Sequence, residues 1–255
     1  MSKRRVLQRN EDVTINECRA WLERADASYI AARILFFQDR RFLIGDSNYL
    51  MQQAIEKYLK TYIVNAERIE SPKFRALIIK EIAKLKLFDS GDQGNYATKV
   101  LLRKTHDLNI LVKLCAESEK KINEWTTGQD KKRILKKMSG RFATLQANNE
   151  VKAFLDFLTE QKDARYGKNV SAHFKTQPLE LFDKIVCFIR NKIWFDRETL
   201  QVTLTNAIKQ DSEPRQTIYK NFKRENKYAE SFNFTNLTYS NNRATPRIIF
   251  KRTNQ

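Results

Sequence analysis

Only six glycines and four prolines interrupt 255 residues, and this scarcity constrains the fold most tightly, because sheets of many short strands need the turns those residues supply. Long helices joined by short connections satisfy it. With 41% hydrophobic residues the chain can bury a sizeable core. The predicted fold is all-α, an up-and-down bundle of four or more helices with a basic helical insertion and a polar C-terminal arm. Residues 1–13 read as a basic N-terminal segment, 14–210 as the helical domain with 117–150 inserted in it, and 211–255 as a basic arm containing aromatic residues.

Periodicity places the helices. Thr14 and Glu17 have the spacing of a capping box, and Cys18, Leu22, Ala25, Tyr29, Ala32 and Phe36 then recur every three or four residues, one apolar stripe running to about Phe37. Gly45-Asp46-Ser47 reads as a break, with Asp46 or Ser47 capping a second helix. Its buried face is Met51, Ala54, Ile55, Tyr58, Leu59 and Tyr62, and its other face Gln52, Gln53, Glu56, Lys57 and Lys60. Ser71-Pro72 opens a third helix through Phe74, Leu77, Ile78, Ile82 and Leu85. Thr105, as N-cap, introduces a helix burying Leu108, Leu111, Leu114 and Cys115.

Val151, Phe154, Leu155 and Leu158 mark the next helix, which ends near Arg165-Tyr166-Gly167. After Pro178 the positions Leu179, Phe182, Val186, Ile189 and Ile193 trace a bundle seam. Phe188 and Phe195 fall on another face of that helix, so it is apolar on two sides. A homodimer interface, or a further helix through Leu200 and Leu204, would cover the second side.

The sequence has no apolar run long enough for a membrane span, and its Lys3-Arg4-Arg5 start lacks the features of a secretory signal. A cytoplasmic location is expected. Three widely separated cysteines and two histidines indicate neither a disulfide framework nor a metal site, and no cofactor is expected. The formal charge of +18 favours polyanions as partners. Lys131, Lys132, Arg133, Lys136, Lys137 and Arg141 lie in the most basic internal segment. In the arm, Lys220, Lys223, Arg224 and Lys227 interleave with Tyr219, Phe222 and Tyr228, a mixture suited to neutralising a backbone and stacking bases. A solvated helix face and packing of the arm on the bundle are the plainer readings of the same residues.

Trp21 through Phe37, followed by Tyr49-Leu50-Met51-Gln52-Gln53-Ala54-Ile55-Glu56-Lys57-Tyr58-Leu59-Lys60, resembles the first two helices of HEPN domains. Thr105-His106-Asp107-Leu108 and Ala164-Arg165-Tyr166 are similar to segments of HEPN proteins encoded beside minimal nucleotidyltransferases. The resemblance spans roughly residues 14–197. It implies a helical bundle, frequent dimerisation and, in many members, metal-independent cleavage of RNA. Other members bind nucleotides or act as non-cutting partners.

Cutting members carry an Arg, usually followed by a polar residue, and a His after four to six further residues. The Arg stabilises charge on the phosphate while the His moves the proton. Arg190-Asn191 matches the start of that motif, but Phe195 stands at the nearest His position, with Asp196 and Arg197 at the next two. Arg165 and His173 supply the residue types at too long a spacing, and His106 lies at a helix start, where capping or packing also explains it. The expected function is an RNA- or nucleotide-binding protein without the standard cutting pair. The alternatives are an atypical metal-independent endoribonuclease, with Arg190, Asn191, Arg165, His173 and His106 as candidate catalytic residues, and a defence or toxin–antitoxin partner of a nucleotidyltransferase.

Overall fold

The structure, a computed structural model, describes residues 15–38, 41–69, 105–125, 141–164, 178–193 and 220–229. Six helices lie in these stretches: α1 (Ile15–Phe36), α2 (Arg41–Ile69), α3 (Leu108–Trp125), α4 (Phe142–Gln146), α5 (Asn149–Ala164) and α6 (Leu179–Lys192). Among the described residues there is no strand, so the architecture is the expected all-α bundle. No described helix is long and apolar enough to cross a membrane.

The apolar stripes of α1, α3, α5 and α6 enter one core as their periodicity requires, with Cys18, Tyr29, Leu111, Cys115, Val151, Phe154, Phe182 and Ile189 all buried. Helix α2 departs from the amphipathic expectation. Its predicted inner face is buried, but so are Gln52, Glu56 and Lys60 from the face assigned to solvent. Neighbours press on α2 from several sides: α1 runs antiparallel to it, with Ser47 near Ala32 and Tyr58 near Asp26, and α3 approaches through His106 and Cys115. The buried polar groups are tolerable because they meet one another, Lys60 Nζ lying 2.7 Å from Glu56 Oε1.

Two predicted helix boundaries need correction. The Gly45-Asp46-Ser47 triplet does not break the chain, since α2 begins at Arg41 and runs through it. Ser47 turns inward, its Oγ donating to the Ala32 carbonyl at 2.9 Å, so packing on α1 overrides the local turn preference. At the start of α3 the cap is Asp107 rather than Thr105. Asp107 Oδ1 accepts the amides of Asn109 and Ile110 at 2.8 and 3.1 Å, and the Leu108 amide finds Thr159 Oγ1 at 3.2 Å. Three amides that a helix leaves unsatisfied are thereby matched.

The ends of the 117–150 segment pack into the core. Phe142 and Leu145 of α4 are fully buried, and Glu119 of α3 accepts the Phe142 amide at 2.7 Å. Phe142 also packs edge-on against Phe188 at 5.5 Å, and Lys192 Nζ sits 5.2 and 5.0 Å from the two ring centroids while it pairs with Glu119. The second face of α6 at Phe188 is therefore covered from within the chain. This removes the exposed apolar surface on which the homodimer expectation rested at that position; Phe195 lies outside the described residues, as do the predicted helices through Phe74–Leu85 and through Leu200 and Leu204.

Candidate functional site

Helices α1 and α6 run antiparallel, and each carries an Asp followed two turns later by an Arg. The antiparallel register makes the pairing reciprocal: Asp26 meets Arg190, and Arg33 meets Asp183. Each carboxylate also receives a tyrosine hydroxyl, Tyr58 on Asp26 and Tyr29 on Asp183, the latter at 2.8 Å. All of these side chains are buried or nearly so, so each charge needs the other.

Arg190 is the residue that begins the expected cutting motif. Its Nε and Nη2 donate to the two oxygens of Asp26 at 2.9 and 3.2 Å, and only 9% of its side chain is exposed. Burial works against its charge, but Asp26 beside it outweighs that and raises its pKa further. A carboxylate from α1 thus holds the guanidinium. Asn191 is half-buried and donates to Cys187 Sγ at 3.4 Å, an intrahelical contact.

His106 lies elsewhere. Its Nδ1 is 3.1 Å from Glu56 Oε1, with the histidine side chain 39% exposed and the glutamate 6%. Glu56 is fixed from behind by Lys60 and Gln52, and burial pulls the Lys60 pKa down, with Glu56 opposing. A carboxylate on Nδ1 favours the tautomer whose Nε2 can accept a proton, and that edge of the ring has no hydrogen-bond partner among the described residues. Glu56 and Tyr58 are two positions apart on α2, about 200° around the helix. His106 and Arg190 consequently approach opposite sides of α2 and are not assembled into one site within this chain.

The third cluster joins the arm to the bundle. Residues 220–223 form a helical turn, with Phe222 buried against Tyr29 at 6.3 Å between ring centroids. Asn226 Nδ2 donates to the Tyr29 hydroxyl at 2.9 Å. Arg33, besides pairing with Asp183, donates to the carbonyls of Asn221 and Arg224, satisfying acceptors that the end of a helical turn leaves open. Burial pushes the Asp183 carboxyl up to about 6, with Arg33 and Tyr29 pulling the other way. Here the arm packs on the bundle, the plainer of the two readings given above.

Of the candidate nucleic-acid contacts, Lys220, Lys223, Arg224 and Lys227 are exposed on this segment, and Arg141 is exposed at the start of α4. Lys131, Lys132, Arg133, Lys136 and Lys137 lie outside the described residues, as do the catalytic candidates Arg165 and His173. Sequence reasoning missed Asp26, Arg33, Glu56 and Asp183. The repeated Asp-to-Arg spacing on two bundle helices was the available signal for three of them. Among the described residues no group of His, Cys, Asp and Glu could hold a metal ion. Comparison with family models, with curated proteins and with solved structures finds no match to this chain.

Proposed function

We propose that the chain is a HEPN-like RNA- or nucleotide-binding module that lacks the standard cutting pair. The observation that carries this reading is the state of Arg190. A guanidinium that donates twice to a buried Asp26 is neutralised before any phosphate arrives, and freeing it would strand a buried carboxylate. The residue that would clamp a scissile phosphate is thus used to join α1 to α6. The net charge of +18 supports a polyanion as the ligand, and a cytoplasmic location goes with it.

The test is RNA retention on native gels across a salt series, beside denaturing gels of the same mixtures in EDTA. Intact RNA held with an affinity that falls steeply with salt is the expected result. RNA that passes unretained at moderate salt would sink the reading.

One observation favours a second reading, a metal-independent endoribonuclease: the half-exposed His106 backed by the buried Glu56. In such a reaction Nε2 takes the proton of a ribose 2′-hydroxyl, the 2′-oxygen bonds to phosphorus, and the P–O5′ bond breaks. The proton passes to the leaving 5′-oxygen, and a 2′,3′-cyclic phosphate remains. Cleavage that persists in His106→Ala excludes that route. A nucleotidyltransferase-type protein partner and a homodimer follow from the family resemblance; co-purification and sedimentation test them.

A further inference from the structure

The ten residues 220–229 present two faces. Phe222 and Asn226 point into the bundle, whereas Lys220, Lys223, Arg224 and Lys227 are exposed. Lys220, Lys223 and Arg224 stand at i, i+3 and i+4 on the helical turn of 220–223 and its end, and Lys227 follows beyond the turn. Glu225 is the segment's one acidic residue. It sits at φ 54°, the left-handed conformation that ends a helical turn and costs a non-glycine residue about 1–2 kcal/mol.

That cost is offset because the segment is clamped. Arg33 holds the carbonyls of Asn221 and Arg224 from below, Asn226 binds the Tyr29 hydroxyl, and the Asn226 amide donates to the Lys223 carbonyl at 3.2 Å. The Arg224 guanidinium lies 4.3 Å from the centroid of the Phe37 ring, so it too is held against the surface of α1. The exposed cations are therefore mounted on a fixed backbone, and little backbone freedom remains to be lost when a ligand binds.

We propose that residues 220–229 form a phosphate-contacting strap that takes the sugar-phosphate backbone of RNA. This rests on the RNA-binding reading above and deepens it by naming the surface. A cluster of exposed cations with one intervening acid suits a ligand that carries several negative charges. The exposed pair between Lys227 and Glu180, at 3.0 Å, is of the kind worth little in water and does not withhold Lys227 from a phosphate. A lipid surface fits less well: the segment's large apolar side chain, Phe222, is buried, so it is not offered as a wedge to insert.

The experiment compares two double variants of the full chain that change net charge equally. Lys220→Gln/Lys227→Gln acts on the strap, and Lys113→Gln/Lys152→Gln acts on exposed positions of α3 and α5. The probes are mixed-sequence single-stranded RNA, the same RNA as a duplex, and vesicles containing phosphatidylserine, with circular dichroism as the fold control.

Losing two single-strand phosphate contacts should lower the slope of log affinity against log salt by about 1.4 and weaken binding by roughly tenfold at ~0.15 M salt. The control variant should match wild type in both. Equal losses in the two variants would reduce the effect to overall charge and overturn the strap. Undiminished binding by the strap variant would do the same while leaving the RNA-binding reading intact. A strap-dependent affinity for vesicles in place of RNA would also overturn it. Failure of the wild-type chain to retain any RNA would remove both.

Discussion

Replacing Arg33 by Met keeps most of the side-chain volume and deletes one charge from the fully buried pair with Asp183. Removing one partner of such a pair costs about 3–5 kcal/mol, because the remaining ion stays desolvated without compensation. The Asn221 and Arg224 carbonyls lose their donor as well, but the 220–229 segment can lift into water and avoid most of that loss. Against a total stability of about 5–15 kcal/mol for a domain, the single variant should unfold at markedly lower urea. Adding Asp183→Leu removes the stranded carboxylate, and replacing both ions with apolar groups is often neutral. The double variant should recover to within about 2 kcal/mol of wild type. Urea unfolding followed by far-UV circular dichroism measures all four corners of this cycle. An Arg33→Met variant within about 1 kcal/mol of wild type, or a double variant no better than the single, would refute the argument that the pair is a coupled unit.

Further expectations follow from the same contacts. Asp183 has its pKa raised from 3.8 to about 6 chiefly by burial, so the native chain holds a proton there that the unfolded chain has released. Stability from this group is fully present below about pH 4 and is lost as pH rises through about 6, an effect on the order of 3 kcal/mol. The pH profile of the Arg33→Met/Asp183→Leu variant, subtracted from that of wild type, should show it, and a flat difference would count against it. Asp107→Ala should cost roughly 1 kcal/mol by uncapping α3, read as a small shift in the urea midpoint, whereas Thr105→Val should leave the Asn109 and Ile110 amides capped. Phe142→Ala should cost about 3–5 kcal/mol, because the ring fills space between Tyr62, Phe188 and Lys192; a loss under 1 kcal/mol would mean α4 is peripheral. Cys18, Cys115 and Cys187 are all buried, and burial pushes Cys187 up to about 12 and Cys115 well above its ordinary value. Alkylation should therefore be slow in buffer and complete in denaturant, as mass spectrometry would record.

The sequence by itself determined the helices and most of their inner faces, because a 3.6-residue period repeats over many turns and glycine and proline are too scarce to interrupt it. The stripes of α1, α3, α5 and α6 were legible for that reason, as was the start of α6 after Pro178. The tertiary structure decided what depends on neighbours distant in sequence. Glu56 and Lys60 look like a solvated helix face until α3 brings His106 over them. Gly45-Asp46-Ser47 looks like a turn until the α1 carbonyl at Ala32 takes the Ser47 hydroxyl. Arg190 looks like the start of a catalytic motif, and only the antiparallel register of α1 against α6 gives it Asp26. Periodicity reports which side of a helix is apolar, but a buried charge is decided by its counter-ion, and local sequence does not contain the partner that supplies it.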